Sequence, residues 1–286
     1  MRDSGSHPPQ DVEFTIPGFD EVQDLHGDVV EPDLVVFMGG NEFMVLPELL
    51  PAFRASTGAC ARIFVESLPP GILHEQLRRG ALVVGDLRVA HAPDVFTGGE
   101  DRVAALEREG RVLRKIAYAS NELALLVRSG NPARIATIAD LGRDGVRVAI
   151  PDARTEDIGK KVEQALREAG GEDLVRAVTR EKVDRGETYV TRIHHRETPR
   201  RVLDGASDVG PVWRTEGLHQ RALGAALDLV PIDGAPRSTS FAAVLRAAPR
   251  ARCAGAFVDF LASGDARRIL ARRGFHPPDA AAEAPP

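Results

Sequence analysis

The 286 residues include only two cysteines, one tryptophan, two tyrosines and three methionines, and aromatic residues make up 5%. Two cysteines cannot build a disulfide framework, and there is no CxxC pair. Cys60 and Cys253 can form one bridge at most. Each sits among apolar neighbours, which favours buried free thiols. No apolar run approaches the roughly 18 residues that span a bilayer. Met1–Pro9 shows neither an apolar h-region nor a cleavage site, so the chain as written is expected in the cytoplasm. A periplasmic chain whose leader has been removed is the alternative. There is no basic excess either: 37 Lys and Arg face 42 Asp and Glu, so a nucleic-acid partner is not expected. A nucleophile elbow, a P-loop and a helix-opening G-x-G-x-x-G are all missing, so no enzyme and no cofactor is expected. The remaining enzymatic reading, a hydrolase using His195 with Ser67, has no supporting spacing. The Gly pairs at 39–40, 98–99 and 170–171 read as turns.

What is present describes a globular chain. Hydrophobic residues are 43% and charged residues 28%, enough for one large or two ordinary domains. Residues 1–32 are rich in Pro, Asp, Glu and Gly and read as an extended arm, with Phe14, Ile16, Phe19 and Leu25 laid against the body. Residues 277–286 read as a loose tail. Between them strands and helices alternate. Strands are predicted at Leu34–Phe37, Ala61–Val65, Asp94–Phe96, Leu123–Val127, Val146–Ile150, Tyr189–Ile193, Val209–Trp213, Leu227–Ile232 and Ser240–Leu245, with an added strand or hairpin at Leu82–Ala90. Helical patterns lie at Leu46–Phe53, where Pro51 should kink or restart the helix, and at Ile72–Leu77, Asp101–Glu109 and Asp157–Ala169. Further helices are predicted at Arg200–Leu203, capped by Thr198 with Pro199 first, at Ala251–Leu261 and at Ala266–Leu270. This alternation means α/β with mixed, mostly parallel sheets.

Several stretches, in order, resemble the molybdate-binding proteins of bacterial ABC importers. They are Val36–Asn41, Leu49–Phe53 with Thr57-Gly58, Gly71–Ala81, Asp94–Phe96, Asn121–Val127 with Gly130–Pro132, and Val146–Asp152 with Gly159. Gly205, Asp208–Trp213, Val230–Ile232, Ala256–Leu261 and Gly274-Phe275 continue the series, so the resemblance covers about 33–277. It implies a type II periplasmic-binding-protein fold with two α/β lobes and a cleft between them. Lobe one would be 33–119 plus 237–276 and lobe two 120–236, with hinges near Asn121 and Asp233. It also implies a solute-binding protein that closes on a small anion, an oxyanion or a carboxylate. Its partner would be an ABC permease or a sensor, and it would act as a monomer.

Helix N-termini bind anions through unpaired N–H groups. Three candidates follow: Gly40-Asn41-Glu42, Ser67–Gly71, and Thr155–Gly159 with Asp157 and Ile158. By the resemblance, Asn41 and Pro70 stand where the family has two ligand-binding serines, and proline has no N–H to give. His195 and Trp213 fall at ligand-contacting positions. Arg196 would then offer a forked donor and His194 or His195 an N–H. In the plainer alternative Arg196 pairs with Glu197 or Glu216, one histidine packs on the sheet, and Trp213 is core. A rival reading assembles Glu42, Glu66, His194, His195 and Glu216 around a divalent metal.

Overall fold

The computed structural model describes residues 12–14, 24–192 and 194–278. Two short strands, β1 (Val12–Phe14) and β2 (Leu25–Gly27), precede the first α/β unit. That unit runs through β3 (Leu34–Gly39), a 3₁₀ turn over Gly40–Val45, α1 (Leu46–Thr57), β4 (Ile63–Leu68) and α2 (Pro70–Arg79). It continues with the hairpin β5 (Leu82–Val84) and β6 (Leu87–Val89), then β7 (Val95–Gly99) and α3 (Glu100–Arg108). The long strand β8 (Val112–Arg128) leads into a second unit of β9 (Val148–Ile150), α4 (Asp157–Arg176), α5 (Lys182–Asp184) and β10 (Thr188–Val190). After α6 (Glu197–Leu203), β11 (Val209–Trp213), α7 (Arg214–Ala222) and β12 (Leu227–Pro231), the chain returns through β13 (Arg237–Leu245), α8 (Ala251–Leu261) and α9 (Gly264–Arg272).

The strands run in the order β1-β2-β4-β3-β7-β13-β8-β11-β9-β10, with β12 also on β8. Parallel pairs join β4-β3-β7 in one half, flanked by antiparallel β2 and β13, and β11-β9-β10 in the other, where antiparallel β8 borders β11 and β10 is the last strand of the order. All six residues of β3 are buried, which is why its apolar run does not alternate. Strand β8 joins the halves. Its first part, to Glu122, pairs with β13, and from Leu123 onward it pairs with β11 and β12. Separate cores form on either side of that point, one around Phe53 and Phe257, backed by Phe37 and Phe96, the other around Leu125, Val148 and Leu166. The fold is two-lobed α/β of the type II kind.

Several expectations change. Pro51 lies inside α1 without interrupting it; the carbonyl left without a donor is that of Pro47, in the first turn. Thr198 is not a cap: α6 starts at Glu197 and Thr198 is buried within it. Helix α7 was not foreseen, because Leu218 is its one large apolar residue and its buried positions are Thr215, Glu216 and Gly217. The helix expected over 157–169 does end at Gly170 and Gly171, which leave helical geometry; the remainder of α4, to Arg176, is a second helical run beyond that break. Cys60 and Cys253 are bonded to each other, not free, with an S–S distance of 2.01 Å. Each thiol's apolar surroundings turned out to be the other cysteine's as well, since both belong to one core. Of the arm, Leu25 is buried in β2, while Ile16 and Phe19 lie outside the described residues.

Candidate functional site

Strands β3, β7 and β9 end on one side of the molecule, where the chain turns into helices, as ligand crevices in α/β sheets do. Between the lobes lies a cavity of about 30 Å³. Gly40 and Asn41 line it from the turn after β3, and Asp157 and Ile158 from the first turn of α4. Among the described residues, the N–H groups of Asp157 and Ile158 have no protein acceptor. Ser238 and Ser240 at the start of β13 add hydroxyls, Asn121 an amide, and Trp213 at the end of β11 an indole wall.

The acidic groups nearby are committed elsewhere. Asp157 turns its carboxylate to the other lobe, accepting from Gly99 N–H at 3.2 Å and Arg102 Nε at 2.9 Å. Glu42 accepts from the Tyr118 hydroxyl and, at 3.1 Å, from Thr97. Burial pushes its pKa up to about 7, against the hydrogen bonds from Tyr118, Thr97 and Ser240. The N-terminus of α2 is also committed. Pro70 has no N–H, and Gly71 N–H donates across the cleft to Thr155 O at 3.0 Å. This helix end joins the lobes.

The 194–196 segment divides its duties. His195 lines the cavity; its Nδ1 lies 2.5 Å from Glu156 Oε2, and its Nε2 lies 3.4 Å from Glu216. Burial opposes its charge, but Glu216 and Glu156 outweigh that and raise its pKa. Glu156 is held further by His195 N–H at 2.7 Å and the Thr191 hydroxyl at 3.0 Å. His194 sits behind the cavity wall against Gly40 and Arg196. Burial, then the charges of Arg196 and His195, hold its pKa well below the usual histidine value, so it is neutral. Arg196 bonds Asp24 and donates to Ser67 O at 3.2 Å, and its guanidinium lies 5.0 Å from the Phe43 ring.

Of the ten residues singled out as ligand contacts, Gly40, Asn41, Asp157, Ile158, His195 and Trp213 line the cavity, and Glu42, Ser67, His194 and Arg196 do not. Trp213 does both things considered for it, packing in the second core while walling the cavity. For a metal, Glu156, His194 and His195 could offer one ligand atom each within 4.8 Å of one another. Of the carboxylates proposed for a metal, Glu42 is tied to Tyr118 and Thr97. Glu66 faces the first core, since Leu25, its cross-strand partner, and Phe64 and Leu68, two positions away, share one cluster. Both nitrogens of His194 meet Arg196, whose fixed positive charge disfavours a cation there. In the sequence Glu156 stands out only as part of the Thr155–Gly159 helix start and Asn121 only as a hinge position, and Ser238 and Ser240 do not stand out at all. Glu156 carried a signal, the residue just before α4. The serines carried only a run of small hydroxyls at a strand start.

Glycine at position 40 is set by the close approach of the His194 ring. A Cβ there would lie 2.2 Å from Cε1 of His194. Gly40→Ala is therefore expected to hold the lobes apart and to lower affinity for the cleft ligand at least tenfold with the fold intact. Titration calorimetry together with circular dichroism checks this; unchanged affinity would refute the close fit.

Residues 34–276 match the model of a family described as bacterial extracellular solute-binding proteins. The chain belongs to this family. Comparison with curated protein sequences finds no match. Among solved structures the chain is similar to the sulfate-binding protein SubI of Mycobacterium tuberculosis H37Rv, at 22% identity and TM-score 0.70, covering 87% of this chain and 88% of that one. It is similar to the periplasmic molybdate-binding protein of Azotobacter vinelandii at 18% identity and TM-score 0.67, covering 86% and 100%. Iron-bound HitA of Pseudomonas aeruginosa follows at 16% identity and TM-score 0.66, covering 88% of each. At these identities the likeness is one of fold. As a member of this family the chain is a solute-binding protein. Among the described residues no helix is long and apolar enough to cross a membrane.

Proposed function

We propose that this solute-binding protein captures a small anion between its lobes by hinge closure and hands it to the permease of an ABC importer. Residues 33–119 with 237–276 serve as one lobe and 120–236 as the other, with hinges in β8 near Asn121 and in the loop at Asp233. The observation that carries the reading is the pair of N–H donors at Asp157 and Ile158, which have no acceptor among the described residues and line one small cavity with Gly40, Asn41, Ser238 and Ser240, while the carboxylates of Asp157 and Glu42 are engaged elsewhere. Oriented N–H groups stabilise an anion without a formal cation. A cavity of about 30 Å³ suits a compact ion of a few atoms better than a sugar or an amino acid. The Cys60–Cys253 bridge supports an oxidising, extracytoplasmic compartment over the cytoplasm. We take the working unit to be a monomer.

The test is titration calorimetry with sulfate, molybdate, phosphate and small carboxylates, with Zn²⁺ and Fe³⁺ as the opposing arm. Saturable binding of one anion class supports the reading. Binding of metal alone, reduced by His195→Ala and Glu156→Gln, would replace it with a metal-binding function built on the cluster of Glu156, His194 and His195.

A backbone test is also available. Proline is tolerated at the first helical position, and Glu156, at φ −117 and ψ 130, already has the extended backbone preferred before proline. Asp157→Pro is therefore expected to keep α4 but to bind the anion at least tenfold more weakly than Asp157→Ala, which also lacks the carboxylate. Equal affinities in the two variants would exclude this N–H as a ligand donor.

A further inference from the structure

Strands β4, β3 and β7 are parallel and end at the cleft, so the segments that feed them gather at the opposite end of that half. A second cavity, of about 410 Å³, opens there. The last turn of α2, the loop before β7, the turn between α3 and β8, and the end of β13 surround it. None of its residues lines the cavity between the lobes. Phe37, Leu77 and Leu245 give it an apolar wall continuous with a core of that half. The polar groups at its rim are engaged. Arg111 pairs with Glu109 at 2.9 Å, and Arg246 donates to Gly110 O at 3.1 Å and to Val112 O at 3.2 Å. Nε2 of His91 lies 2.6 Å from Val29 O.

Gln76 is the exception. It lines this cavity and is 4% exposed, yet among the described residues neither polar atom of its amide completes a hydrogen bond. The Glu66 carboxyl lies beside it, equally unpartnered, and Phe37 stands opposite Glu66 in the β3–β4 register. Buried polar groups are nearly always paired. An amide left without a partner at the wall of an apolar cavity points to a partner from outside the chain.

We propose that this cavity is a second binding site, for an uncharged carboxamide on an apolar body, filled independently of the cleft. Its size and its lining, mostly apolar with one placed polar group, are those of a small-molecule pocket. A carboxamide both donates and accepts, as the Gln76 amide does, so the two can pair head to head. With no hydrogen bond to hold it, the Gln76 amide turns about its last torsion to present either atom. A carboxylate head would lose its water beside the Glu66 carboxyl while the rim arginines are already engaged, so the site selects against charge.

The test is ligand-detected NMR and titration calorimetry of the full chain with benzamide and hexanamide, and with benzoate as the charged counterpart. At least one amide binds saturably, and benzoate binds about tenfold more weakly or not at all. Gln76→Leu weakens amide binding about fivefold or more, because it removes the polar partner and keeps the bulk. Ala247→Trp, at an exposed position of the wall, fills the cavity and abolishes binding. Saturating sulfate or molybdate leaves the amide in place. The site is refuted if neither amide binds saturably, if either variant binds as the wild type does, or if benzoate binds as tightly as benzamide. Displacement of the amide by an anion refutes it too, by placing the amide in the cleft. Should Gln76→Leu fail to fold, Ala247→Trp decides. None of these outcomes depends on whether the cleft takes an anion.

Discussion

Replacing Cys60 and Cys253 with serine lowers the unfolding midpoint by on the order of 8 °C while leaving the proposed anion binding in place. The two cysteines lie 193 residues apart in sequence, so their bond closes a loop that holds most of the unfolded chain. Loop-closure entropy puts the effect at roughly 5 kcal/mol, an upper figure when the denatured state retains structure. With about 2.1 cal/mol/K of unfolding entropy per residue, that becomes a shift of this size. The bond ties the loop before β4 to α8, and the cavity between the lobes draws no residue from either. Scanning calorimetry with and without reductant checks it. A midpoint indifferent to reductant would mean the bridge contributes nothing.

The second large effect belongs to Glu66. It is completely buried in β4, and among the described residues neither carboxylate oxygen completes a hydrogen bond, although the Gln76 amide lies beside it. Burial raises its pKa from 4.5 to about 8. A carboxyl whose folded value lies above its unfolded value binds its proton more tightly in the native state. Its contribution is therefore full below about 4.5 and is lost as pH rises through about 8, a few kcal/mol in all. Glu42, raised to about 7, adds a loss of the same sign, while His194, held neutral by its burial, favours the folded form as pH rises toward 6.5. Glu66→Gln removes the one titration and keeps the shape. The variant should gain stability over wild type at pH 8 and show little difference at pH 5, as measured by urea unfolding at both values. A pH-independent difference would place the charge of Glu66 elsewhere.

The fold was legible because its information is carried by burial. Leu34–Phe37, Leu123–Val127 and Ala251–Leu261 are continuous or periodic apolar segments, and each became the element its pattern indicates. Helix α7 was not legible, since a helix that buries Thr215, Glu216 and Gly217 carries no apolar stripe. For the site, the positions just after strands were readable as helix starts, and Gly40, Asn41, Asp157 and Ile158 do line one cavity. The partner of each charge was not readable. Arg196 meets Asp24, 172 residues earlier, and His195 meets Glu156, 39 residues earlier; no local spacing encodes either pairing. The free-thiol expectation failed for the same reason, because apolar neighbours around a cysteine do not reveal which other cysteine shares them.

The pairing of β13 with β7 has a consequence for how the chain is made. Val244 lies opposite Val95, so the open edge of β7 waits for a partner that the ribosome delivers about 150 residues later. Meanwhile β9, β10 and β11 find one another within a shorter stretch, and the middle of the chain can settle first. Cys60 must likewise stay reduced or be shielded until Cys253 arrives. A chain cut short before β13 would leave that edge of β7 exposed and prone to sticking to other chains.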